Sequence, residues 1–317
     1  YSYRKETALM LTVRNLHKIY GKYHALSGLD MNVGDGALYG FVGPNGAGKT
    51  TTMRMMAGLL QATEGSIWMD DVDMTKNPRL LRTKIGYMPD FFGVYDNLKV
   101  TEYMDFYAGT YEIPYKDRKD IIDGLLDIVD LSHKKEAYVD SLSRGMKQRL
   151  CLARSLIHGP KLLILDEPAS GLDPRARVEM KEILKQLQSM GKTVVISSHI
   201  LPELAEMCTE VGIINQGKLA AQGTVQEIMR QLTQKRIIYV RPLADVSKTV
   251  EILQEMPAVK EITENTADLE FVFDGSEEML AEILKRLVES GIGIVSFREK
   301  EGNLEEIFMQ VTGGAGV

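Results

Sequence analysis

The sequence predicts an α/β protein whose core is a mixed, largely parallel sheet. An antiparallel strand region precedes that sheet, a helical segment interrupts it, and a smaller α+β unit follows. Three observations carry this. The short apolar runs KLLILDEP and TVVISSH flank a helical stretch, ARVEMKEILKQLQSM, which is the alternation of buried parallel strands with a crossover helix. A glycine-rich loop, GPNGAGKTT at Gly43–Thr51, stands between the strand-like ALYGFV and the helical TTMRMMAGLL. Near residue 230 the pattern changes to strand, helix, strand, strand, helix, strand.

In chain order, MLTVRNLHKIYG, SGLDMNVGDG and ALYGFVG are strand-like pieces that end in Gly or Asp-Gly turn signals. SIWMDD and KIGYMPD follow the first helix. From about 95 to 159 the chain is mostly helical, because VTEYMDFYAGTY, DRKDIIDGLLDIVDL and GMKQRLCLARSLI space their apolar residues three and four apart. The two apolar strands and their crossover helix complete a first domain, residues 1–230. In residues 231–317, IIYVRP, ADVSKTVEILQEM, VKEITEN, ADLEFVFD, GSEEMLAEILKRLVES and GIGIVSFREK give the split βαβ order of a ferredoxin-like domain. That second domain holds no Cys, no His and no glycine-rich loop, so its expected role is accessory or docking.

Composition narrows the function classes. With 44% hydrophobic and 26% charged residues over 317 positions, the chain can build a large core. No apolar run approaches the roughly 18–20 residues a membrane span needs, and the expectation is a cytosolic protein. Residues from 231 on carry 9 Lys+Arg against 16 Asp+Glu, which leaves 29 and 28 for the rest. An acidic tail and a near-neutral first domain argue against nonspecific nucleic-acid binding. Cys151 and Cys208 have no CxxC spacing and no His at ligand spacing, and read as buried small hydrophobes.

The chemistry concentrates in three places. Gly43–Thr51 fits G-x-x-x-x-G-K-[ST], the P-loop, and it lies after a strand and opens a helix as that motif requires. Backbone N–H groups of Asn45, Gly46, Ala47, Gly48 and Thr51 would curl round phosphates, with Lys49 as a point charge on the β/γ-phosphates and the Thr50 hydroxyl on Mg²⁺. LLILDEP places Asp166 at a strand end, where it can hold Mg²⁺ through water, and Glu167 beside it as general base. His199, in VISSHIL, ends another apolar strand of the same sheet and can touch the γ-phosphate or fix the water.

Together the P-loop, LDEP, the SGLD turn at Ser170–Asp173, His199 and LSRGMKQR at 142–149 resemble the ATP-binding cassette (ABC) ATPases over residues 10 to about 230. The resemblance implies that LSRGMKQR is the family's signature motif. In a head-to-tail ATP-sandwich dimer, Ser143 and Gly145 then meet the γ-phosphate held by the other subunit's P-loop. It further implies that Tyr20 stacks on adenine, that Asp173 sits at the dimer seam, and that ATP and Mg²⁺ are bound. Separate transmembrane permease subunits are the implied partners, on the inner face of the membrane, and no nucleic acid is. The ending SFREKEGNLEEIFMQVTG looks like the extension of exporter ATPases that work with ABC-2-type permeases.

Two departures stand out. The signature reads Ser-Arg-Gly-Met where Ser-Gly-Gly-Gln is common, keeping Ser143, Gly145, Gln148 and Arg149. After Tyr-x-Pro, Asp90 replaces the usual glutamine; it is shorter, charged and has no N–H to donate, and would add a third carboxylate beside Asp166 and Glu167 around one Mg²⁺. The aromatic loop FFGVYDNLKV, with Phe91 and Tyr95, suits a permease groove. Two alternatives remain: a nucleotide-gated binding module with weak hydrolysis, and a soluble ABC ATPase acting on nucleic acid.

Overall fold

The computed structural model describes residues 8–70, 72–91, 93, 97–232, 236–265 and 268–299. Tyr95 and the final residues 300–317, which include most of the exporter-like ending, lie outside the described residues.

Strands β1 (Leu9–Tyr20) and β2 (Tyr23–Gly34) form an antiparallel hairpin. Its two-residue turn has Gly21 at φ 58°, so Tyr20 and Tyr23 are direct cross-strand partners. Strand β3 (Leu38–Val42) is fully buried and leads through the P-loop into α1 (Lys49–Met56). β4 (Glu64–Met69) and β5 (Val72–Asp73) complete an antiparallel sheet of order β2-β1-β4-β5. A helix that sequence periodicity did not reveal follows, α2 (Pro78–Lys84), with proline in its first turn, where the missing N–H costs nothing. Then come β6 (Ile85–Met88) and the helical region α3 (Val100–Thr110), α4 (Tyr115–Ile128) and α5 (Arg144–Leu156).

β7 (Leu162–Leu165), α6 (Pro174–Ser189), β8 (Thr193–Ser198), α7 (Leu201–Ala205), β9 (Glu210–Asn215), β10 (Lys218–Gly223) and α8 (Val225–Leu232) follow. The central sheet runs β10-β9-β3-β8-β7-β6. All neighbours are parallel except the β9–β10 hairpin. β7 and β8 are buried on both faces, as their continuous apolar sequences require. Parallel strands end at one edge of a sheet, so residues following β3, β6, β7 and β8 gather there. Those residues are the P-loop, Asp90, Asp166–Glu167 and His199.

Compact packing divides the chain between Ile228 and Met229. The second unit holds β11 (Arg236–Pro242), α9 (Val246–Gln254), β12 (Val259–Glu264), β13 (Leu269–Phe273), α10 (Glu277–Glu289) and β14 (Ile294–Glu299). Its sheet is antiparallel throughout with order β12-β13-β11-β14, the ferredoxin-like arrangement. Ile238, Val240, Phe271, Phe273, Ile283 and Leu287 form its core. Among the described residues no helix is long and apolar enough to cross a membrane.

Candidate nucleotide site

A cleft of about 380 Å³ opens at the C-terminal edge of the central sheet. Asn45, Gly46, Gly48, Lys49, Thr50 and Thr51 form its floor, Tyr20, Tyr23 and Ala25 one wall, and Asp90, Glu167, Ser170 and His199 the other. The P-loop needs its glycines for different reasons. Gly46 and Gly48 adopt φ 80° and 109°, and a Cβ on Gly43 would lie 2.3 Å from the Ile214 carbonyl oxygen. The turn between β9 and β10 braces the loop from behind: Gly217 N–H donates to the Ala47 carbonyl at 2.9 Å, and Ser27 N–H to the Gly217 carbonyl at 3.0 Å.

Ala47 stands apart from the other P-loop residues. It is buried, its N–H donates to the Pro44 carbonyl at 3.1 Å, and it does not line the cleft.

Lys49 is buried and donates to the Gly43 carbonyl at 2.6 Å and the Pro44 carbonyl at 3.3 Å. It lies 3.7 Å from Glu167 Oε1. Burial pushes its pKa below the ordinary lysine value, against the pull of Glu167 and Asp166. A phosphate in the cleft would add a second anionic partner beside Glu167 for this buried ammonium.

Asp166 is 1% exposed. Ser197 donates to its Oδ1 at 2.7 Å, whereas its Oδ2 is buried without a protein partner. The same Ser197 oxygen accepts the Glu167 N–H at 2.9 Å, and it thereby pins a residue whose φ of 51° is unusual for a non-glycine. His199 Nδ1 lies 3.1 Å from Glu167 Oε2. The ends of β7 and β8 thus bring Glu167 and His199 into contact. Among the described residues no three acidic, His or Cys side chains are grouped so that they could hold a metal ion by themselves. Asp90 is exposed after β6 and lines the cleft, whereas Asp166 is buried.

Tyr20 is half exposed, and Lys18 Nζ stands 5.0 Å from its ring centroid, so one face is already occupied. Ser143, Gly145 and Asp173 do not line this chain's own cleft. Ser143 caps α5, its hydroxyl accepting the Met146 N–H at 3.3 Å, and Asp173 caps α6 by accepting the Ala176 N–H at 2.9 Å. A Cβ on Gly145 would approach Ala176 Cβ to 3.0 Å, which shows α5 packed tightly on the start of α6. Phe91 is 89% exposed. Cys151 and Cys208 are free thiols, the first buried and the second half-buried.

Two site residues escaped the sequence reading. Ser197 could have been flagged only as a polar residue inside the apolar strand VISS, and Tyr23 only through the hairpin register that pairs it with Tyr20.

Fold and cleft together define a P-loop nucleotide-binding protein. Residues 26–170 match the ABC transporter family, and residues 223–312 the C-terminal domain of DrrA1-3-like ATP-binding proteins. The chain is 34% identical over 306 residues to the bacitracin transport ATP-binding protein BcrA of Bacillus licheniformis, covering 96% of this chain and 98% of that one. It is 30% identical over 305 residues to the Nod factor export ATP-binding protein I of Ralstonia nicotianae, covering 96% and 94%. The dimeric structure of a bacterial ABC transporter cassette superposes with a TM-score of 0.62 at 23% identity, covering 68% of this chain and 99% of that one. The chain belongs to the ABC transporter ATP-binding proteins, whose cassettes bind ATP and hydrolyse it to power transport.

Proposed function

We propose that this chain is the ATPase of an exporter. Two copies, or one copy and a related cassette, close head to tail on two ATP molecules and drive a separate permease at the inner face of the membrane. Full-length similarity to proteins named for bacitracin transport and Nod factor export supports the export reading. The observation that carries the site reading is the Asp166–Glu167 pair, held by one serine hydroxyl opposite the P-loop lysine.

The P-loop backbone and Lys49 hold the β- and γ-phosphates, and Tyr20 stacks its free face on the base. The orphaned Oδ2 of Asp166 fits a water-clad divalent cation, and Mg²⁺ would be held by Asp166 and Thr50, with Asp90 reaching it through water. When bound, that ion neutralises charge on the β- and γ-phosphate oxygens. Glu167 takes a proton from water as the water oxygen bonds the γ-phosphorus and the β–γ bridge breaks, giving ADP and inorganic phosphate. His199 orients Glu167 and the water. Ser143 and Gly145 of the opposite subunit complete each site in trans, beside Asp173 at the seam.

The test is light scattering on Glu167→Gln with and without ATP and Mg²⁺, alongside wild-type turnover. The expected result is an ATP-dependent shift from monomer to dimer and Mg²⁺-dependent turnover in the wild type. A monomer under all conditions would overturn the sandwich dimer. Absent turnover, with ATP still bound, would favour a nucleotide-gated module.

A further inference from the structure

Arg144 is the residue by which this signature motif departs most from the common form, and its surroundings give it a definite task. It occupies the first position of α5, where a cation opposes the helix dipole and a long side chain loses much rotamer freedom if held. Its guanidinium is nevertheless engaged. Arg144 Nη2 donates to the Ser170 carbonyl at 3.2 Å, and Gln148 Nε2 donates to the same oxygen at 3.3 Å, so both lone pairs are used.

The guanidinium also covers Gly171. A Cβ there would lie 2.5 Å from Arg144 Cζ and within 2.7 Å of both terminal nitrogens, and Gly171 itself is left-handed at φ 65°. In this pose the Arg144 side chain lies over a glycine whose left-handed backbone the SGLD turn itself requires. From Ser170 the path returns to the base: Ser170 N–H donates to the Glu167 carbonyl at 3.1 Å, and Ser170 lines the cleft.

We propose that Arg144 is a positioning residue: it clamps the Ser170–Asp173 turn onto the N-terminus of α5, so that this turn and the Glu167 backbone keep one geometry. Its consequence for turnover rests on the sandwich-dimer reading above, because in that dimer the start of α5 meets the partner's nucleotide. A γ-phosphate held by the partner then presses on the same rigid unit that carries this chain's own general base. The structural part of the proposal stands without the dimer.

The test is Arg144→Met in the full chain, which keeps length and removes the donors. Amide hydrogen exchange of the nucleotide-free protein is expected to speed up roughly fivefold at Ser170 and Leu172, whose N–H groups donate within this turn, with P-loop amides and melting temperature unchanged. In turnover, kcat is expected to fall about fivefold while KM for ATP holds, since the P-loop that binds the nucleotide is untouched. Exchange at Ser170 and Leu172 equal to wild type would overturn the clamp, whatever happens to turnover. So would exchange raised across the whole cassette with a lowered melting temperature, which would mark a general loss of stability. A rise in KM with unchanged exchange would point to direct phosphate contact by Arg144 in place of positioning. If the wild type neither dimerises nor turns over, the sandwich reading fails, and the exchange result still decides the clamp.

Discussion

Replacing Ser197 by alanine removes one oxygen that serves two masters. Its hydroxyl donates to Asp166 Oδ1 at 2.7 Å and accepts the Glu167 N–H at 2.9 Å. A hydrogen bond to a charged acceptor contributes about 1.5–3 kcal/mol and a neutral one about 1 kcal/mol. Asp166 is buried and its other oxygen already lacks a protein partner, so the variant strands the carboxylate with no donor at all. Alanine fills nearly the same space, which keeps any cavity contribution small. Without divalent metal, Ser197→Ala should therefore destabilise the cassette by about 3 kcal/mol, within the roughly 2.5–4 kcal/mol to which the two bonds sum. Urea unfolding of the full chain followed by circular dichroism measures this. In an Asp166→Asn background the cost should drop to about 2 kcal/mol, because both bonds are then neutral. Turnover should fall about tenfold, since Glu167 loses the anchor that fixes its left-handed backbone. A variant within about 0.5 kcal/mol of wild type, or an identical cost in the Asp166→Asn background, would refute the bridging role.

Asp90→Gln should leave Mg²⁺-ATP binding intact, because Thr50 and Asp166 remain, while changing how turnover tracks transport; unchanged ATPase together with unchanged transport would remove any special role for this aspartate. Tyr20→Ala should weaken ATP binding by about 1–3 kcal/mol and leave inorganic triphosphate binding alone, as calorimetry can show. The same comparison on Tyr23→Ala tells whether the cross-strand partner touches the nucleoside: equal losses for both ligands would mean that it only supports the hairpin. Burial pushes the Cys151 thiol up to about 11 and the Cys208 thiol up to about 12. An unfolded cysteine ionises near 8.5, so the stability tied to keeping these thiols neutral is fully present below that pH and is lost as pH rises toward 11 and 12. Stability measured from pH 8 to 11 should decline more steeply in wild type than in a Cys151→Ala, Cys208→Ala double variant; parallel slopes would count against it.

What could be read from sequence was local or periodic. The P-loop is a contiguous nine-residue pattern, and the parallel strands announce themselves because β7 and β8 are buried on both faces. The ferredoxin-like unit was legible in its element order alone. Features fixed by contacts distant in sequence were not. Ser197 becomes a site residue only because β8 pairs with β7 in a register that puts it beside Asp166, 31 positions away. The β9–β10 hairpin was missed although Gln216–Gly217 is a two-residue turn with positive φ at both positions, and with it went the brace behind the P-loop. Motif membership likewise does not say which way a residue faces: the Ala47 side chain is buried and does not line the cleft.

The two helix caps at Ser143 and Asp173 have a kinetic consequence. Each side-chain oxygen is already tied to its own helix by the Met146 or Ala176 N–H. The surface that a second copy must meet is thus ordered before any encounter, and closure forfeits little chain or rotamer freedom there. In the proposed dimer, nucleotide supplies the attraction between two rigid faces. Association should then proceed at an ordinary docking rate without a slow rearrangement, and the lifetime of the closed state should be set by how long the γ-phosphate survives.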